Sequence, residues 1–256
     1  MIFKNILKKR KLYFIIGLII TVTVIVSLSC FLENKHLESL DLKNAPQELI
    51  DCKILIRNSA NLSNSDRTKY MEAIKEAMSI LPPSVQDDVI SFNRDSLLTI
   101  EFTESSDYWG KYSCSENRIK ISTYCNEKVE IIYALLHEMG HAYSLHSFGG
   151  WTFLCFNHIY IPPSYREILD KEYPPSFFAC YGYKNEGGYY PLEGHRKWEE
   201  DFAESFAYYV LIPGFLKENC PLRYDWLKNN VFDGIEYKTY PEPIPESITD
   251  CLYFVK

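Results

Sequence analysis

The chain has 256 residues, 46 % hydrophobic and 24 % charged, a balance that excludes fibrous, collagen-like and wholly disordered classes. The length suits one domain of about 200 residues plus appendages. The net charge is −7; residues 1–30 hold five bases and no acid, so the rest carries 22 bases against 34 acids, which excludes nucleic acid as a partner because its phosphates need a basic footprint.

Residues 13–32 (YFIIGLIITVTVIVSLSCFL) form a run of 20 residues without a charge. As a helix that run spans the roughly 30 Å of a bilayer core. Five bases precede it and Glu33 follows, so the positive-inside bias leaves residues 1–12 as a basic cytoplasmic N-terminus and the remainder outside the cell membrane. The run is longer than the apolar core of a cleaved signal peptide, about 7–15 residues, which favours a single-pass signal anchor. A lipoprotein signal is the alternative, since Ser27-Leu28-Ser29-Cys30 loosely resembles a lipobox. Residues 33–50 read as a polar stalk and residues 51–256 as the domain. An outside location permits disulfides, but seven cysteines remain beyond Cys30 and none forms a C-x-x-C pair, so no cysteine-based metal site is expected.

Within the domain, Lys53–Arg57 reads as a strand. Asp66–Leu81 reads as a helix from the spacing of Tyr70, Ile74, Met78 and Leu81, stopped by Pro82-Pro83. Leu97–Phe102 and Ile119–Ser122 read as strands, the latter alternating in the manner of a sheet edge. Lys128–His146 is a strong helix with a stripe of Val129, Ile132, Leu135, Leu136, Met139 and Ala142. Residues 148–162 and 173–194, rich in Gly, Pro and Tyr, read as loops around a short helix near Ser164–Lys171. Trp198–Leu211 is a second strong helix ended by Pro213-Gly214, and Phe215–Val231 reads as one final helix. Cys251–Val255 is a terminal strand or docking segment. A few strands followed by mostly helices predict an α+β fold with a small sheet.

The first strong helix contains His137-Glu138-Met139-Gly140-His141, an H-E-x-x-H pattern. Histidines at i and i+4 project from one face about a turn apart, so both imidazoles reach one ion. Zinc accepts imidazole nitrogen, a catalytic site keeps one position open for water, and Glu138 is placed to take that water's proton. A third ligand is required. A third histidine six residues after the second would complete one known pattern, but that position is Ser147, and His146 is off by one. The alternative is a carboxylate from the second strong helix, where Glu200, Ala203, Glu204 and Ala207 share a face. Small alanines there permit a close approach to the H-E-x-x-H helix. Against this stands the plain reading of Glu200 and Glu204 as a solvated stripe, with Phe202 and Phe206 facing the core. Glu199 and Asp201, rotated about 100° away, are expected to face solvent.

HEMGH followed by EEDFAESFAYYV resembles the zinc peptidases of the anthrax lethal factor type, which include small secreted Pro-Pro endopeptidases. The resemblance covers residues 128–211. It implies a gluzincin-like α+β metallopeptidase domain holding one Zn2+, with His137, His141 and Glu200 as metal ligands, Glu138 as the general base and Glu204 as an outer carboxylate orienting a ligand. Such enzymes also carry a Tyr seven residues before the zinc-binding Glu to stabilise the oxyanion. That position is Glu193 here; a loop of different length brings Tyr190 to the same place, with His195 as the other donor. The expectation is a membrane-anchored extracellular zinc metalloendopeptidase acting on surface or secreted proteins. Two other readings are a surface binding module that retains the zinc site, and a hydrolase of a non-protein amide such as a cell-wall peptide.

Overall fold

Strand residues that alternate across the pleat bury one set of side chains and expose the other. Ile54, Ile56, Leu98, Ile100, Phe102, Ile119 and Ile121 form one buried set, and Leu55 and Thr99 are covered from the other face as well. They belong to a four-stranded sheet in a computed structural model of the chain, which describes residues 53–90, 97–148, 161–172, 184–185, 188–189, 195–245 and 248. All of these lie in one compact unit, Glu48–Lys256. The strands are β1 (Ile54–Asn58), β2 (Leu98–Thr103), β3 (Gly110–Ser113) and β4 (Arg118–Ser122), in the order β1-β2-β4-β3. β1, β2 and β4 run parallel; β3 pairs antiparallel with β4. β4 is therefore interior, not an edge: its alternation reflects one core-facing side, and the edge beside it belongs to β3.

Two helices, α1 (Asn64–Ile80) and α2 (Pro83–Ile90), connect β1 to β2. The Ser63 hydroxyl accepts the Asp66 N–H at 3.2 Å and caps α1. Pro82-Pro83 ends α1 as expected, but Pro83 also starts α2, because proline fits the first helical turn where no N–H is needed. α3 (Lys128–Tyr143) opens with a capping box between Glu127 and Glu130 and leaves through a π turn, Ser144–Phe148. Its residues are buried on every face, because α1, α2, α5 and strands β3 and β4 all pack against it. α4 (Pro163–Lys171) follows, then a short hairpin of β5 (Lys184–Asn185) and β6 (Gly188–Tyr189) inside the expected loop region. α5 (His195–Leu211) starts a turn earlier than expected. The expected single final helix is two: α6 (Pro213–Asn219) and α7 (Pro221–Asn230). Pro221 cannot continue a helix from the turn before it, and the chain breaks at Cys220.

The result is the expected mixed α+β class with a small sheet and a mostly helical remainder. Among the described residues no helix is long and apolar enough to cross a membrane; the expected span at 13–32, the stalk and Cys251–Val255 lie outside them. Cys125 and Cys220 are buried free thiols, and burial pushes both up to about 12.

Candidate metal centre

The centre lies where α3 crosses α5, the most extensive helix contact in the fold. The approach is close because of two small residues. A Cβ built on Gly140 would lie 2.8 Å from Ala203 Cα and 3.2 Å from Phe206 Cβ, so only glycine fits. The small face expected of α5 is thus real, and Gly140 completes it from the other helix.

Across this contact the side chains converge. His137 Nε2 is 3.1 Å and His141 Nε2 is 3.5 Å from Glu200 Oε2. The ligand atoms of all three residues lie within 4.8 Å of one another, and they form a group that can hold a metal ion. The two imidazole rings stand edge to face, 4.9 Å apart. Behind His137, its Nδ1 meets Glu204 Oε2 at 3.0 Å. The Tyr133 hydroxyl, 2.6 Å from both Glu204 oxygens, donates to that carboxylate. With Nδ1–H donated to Glu204, the Nε2 lone pair of His137 is directed at the donor group. His141 Nδ1 is buried with no hydrogen-bond partner among the described residues. The solvated-stripe reading of Glu204 fails: it is fully buried.

Electrostatics match this layout. Burial alone would lower His137, but hydrogen bonds to Glu200 and Glu204 and the nearby carboxylate charges raise it well above 6.5. His141 is raised as well: burial opposes, and the charge of Glu200 outweighs it. Burial works against Glu200 as a carboxylate too, yet the His141 charge and hydrogen bonds to both histidines hold it well below the usual range. The carboxylate charges that raise the histidines would also attract a metal cation, which must displace the protons they hold on the imidazoles. Glu138 behaves differently. Burial raises its pKa, and the neighbouring histidine charges and the Tyr112 backbone N–H only partly offset this.

Five of the six expected site residues are thus brought together: His137, Glu138, His141, Glu200 and Glu204. The sixth, Tyr190, and Glu193 lie outside the described residues. Tyr133 had been missed, although it sits at i−4 from His137 on the same face of α3, which was a usable signal. Glu199 and Asp201 correct the sequence reading, since both are buried. α4 and α7 cover Asp201, and Arg223 on α7 supplies its counter-charge. Its Nε and Nη2 each lie 3.0 Å from an Asp201 oxygen, and its Nη1 is 2.8 Å from Glu172. Tyr165 donates to Asp201 at 3.0 Å. Charges this buried survive only when paired and hydrogen-bonded. No protein-family model matches the chain, and no curated protein matches it.

Proposed function

We propose that the chain is a zinc metalloendopeptidase, held at the outer face of a membrane by residues 13–32, that hydrolyses peptide bonds of surface or secreted proteins. The observation that carries this reading is the convergence of His137 Nε2, His141 Nε2 and Glu200 Oε2 beside the buried carboxyl of Glu138. A tetrahedral zinc with ligands at about 2.0–2.1 Å has its donors about 3.4 Å apart. The separations of 3.1 and 3.5 Å bracket that value. The HEMGH and EEDFAESF resemblance supports the same ligand set and a gluzincin-like fold.

When bound, zinc supplies Lewis-acid polarisation and lowers the pKa of a water to about 7. The chain's own residues do the rest. Glu138 takes the proton of the attacking water at its carboxylate and passes it to the leaving amine nitrogen. Glu204 and Tyr133 fix the tautomer of His137. β3 forms the sheet edge next to Glu138, and a sheet edge is where an extended peptide pairs. Tyr190, or His195, donates to the oxyanion in this reading.

The test is cleavage of a mixed peptide library by the full-length chain, purified in detergent and loaded with zinc, read by mass spectrometry. Glu138→Gln should retain zinc and lose activity by about 10²–10⁴-fold. A folded, zinc-loaded chain that cleaves no peptide refutes the peptidase reading. Binding without turnover would then make it a surface module, and release of wall fragments a hydrolase of a non-protein amide.

A further inference from the structure

His146 sits in the π turn just beyond the H-E-x-x-H helix, and it does not join the metal donors. Its ring is held elsewhere. Nδ1 lies 2.7 Å from the backbone carbonyl of Asp88, and Nε2 lies 3.0 Å from the hydroxyl of Tyr112. A nitrogen that close to a carbonyl carries the proton, so in the neutral imidazole Nε2 accepts from the Tyr112 O–H, which has a second, longer contact of 3.3 Å to Asn117 Oδ1. Burial favours that neutral form. The Ser147 hydroxyl donates to the Asp88 carboxylate at 2.9 Å and ties the same turn to the end of α2.

Tyr112 belongs to β3, and β3 touches the proposed base twice. The Tyr112 backbone N–H donates to the Glu138 carboxyl. Two residues earlier, a Cβ on Gly110 would lie 2.6 Å from both Cγ and Oε1 of Glu138. Glu138 therefore rests against the backbone of this strand. Yet β3 has only four residues and, among the described residues, ladders with β4 alone. A strand so short, laddered on one side, opens easily unless something else fastens it.

We propose that His146 is a positioning residue: by holding the Tyr112 side chain it clamps β3 against Glu138 and fixes where the base points. One helix then carries two metal ligands and the base, and its own C-terminal turn fastens the wall on which the base rests. The clamp on β3 is independent of the reaction; its effect on turnover rests on the peptidase reading above.

The test uses Tyr112→Phe, which removes one hydroxyl, with His146→Ala, the double variant and His146→Gln, all in the full-length chain. Hydrogen exchange over Gly110–Ser113 should rise by about tenfold or more in each single variant. Zinc content should stay at the wild-type level. The kcat for peptide cleavage should fall by about 10–100-fold with KM changed by less than about threefold, since misplacing a catalytic group by about 1 Å has that effect. The double variant should be no worse than the poorer single one, and His146→Gln, whose amide both donates and accepts, should recover part of the loss. Unchanged exchange at β3 in folded Tyr112→Phe overturns the proposal, as do additive kinetic effects. If the wild type cleaves nothing, the exchange result alone decides the clamp and the peptidase reading falls separately.

Discussion

Gly140→Ala is the sharpest probe of how the two helices build the centre. The added Cβ would stand 2.8 Å from Ala203 Cα, where carbon atoms prefer about 3.5–4.0 Å. The neighbour is backbone, so relief requires α3 and α5 to separate by about 1 Å. His141 is the next residue on one helix and Glu200 is one turn before Ala203 on the other. Their 3.5 Å separation must open with the helices, past what a tetrahedral ion bridges. Overpacking of this kind costs about 1–3 kcal/mol, while alanine in place of glycine inside a helix returns about 1 kcal/mol. The net loss of stability is therefore small, about 0–2 kcal/mol, but metal affinity should fall by about 10–100-fold, the scale seen when ligand geometry is disturbed. Chelator competition measures the affinity and thermal melting in excess chelator measures the fold. A variant that melts higher than wild type and binds zinc equally well would refute the close-packing argument.

Tyr133→Phe removes the donor to Glu204 and should weaken zinc binding by about 10–100-fold with little change in melting temperature; equal affinity in the competition assay would show that Tyr133 does not tune the centre. Asp201→Asn breaks a buried pair with Arg223 and should lose about 3–5 kcal/mol in urea unfolding; a loss below about 1 kcal/mol would contradict that arrangement. The pH dependence has two opposed parts. Because His137 and His141 are raised above 6.5 in the fold, their contribution to stability is complete below that value and is lost as pH rises through the raised values. Zinc requires both imidazoles neutral, so its affinity rises over the same range. The melting temperature in chelator should fall as pH rises above about 6.5, the ordinary imidazole value, while the increment added by zinc grows; an increment that shrinks as pH rises would count against the assignment.

Metal-ligand spacing is legible in sequence because it is a property of one helix at a time. His137 and His141, and Glu200 and Glu204, fall on common faces by helical periodicity alone. α1, α3 and α5 were legible within about a turn for the same reason. β3 was not: Gly-Lys-Tyr-Ser has no alternation, and its place is set by pairing with β4 and by Glu138. α2 was hidden because Pro82-Pro83 reads as a stop, although proline also opens helices, as Pro213 and Pro221 do again. The burial of Asp201 was illegible because its partner, Arg223, lies 22 positions away and no local pattern announces it. Acidic residues along one helix look alike until the counter-charges arrive.

Arg223 has a consequence for the segment between α4 and α5. Glu172 closes α4 and Asp201 lies on α5. Both of those carboxylates are fastened to the same guanidinium. The two helices are therefore fastened to one point, whatever the length of the chain that joins them. The closure cost of a connection grows slowly with its length, by about 0.6 kcal/mol per doubling, so changes of length between these posts would leave Glu200 where it is. The sequence that joins α4 to α5 is therefore free to diversify while the metal-binding group on α5 stays put.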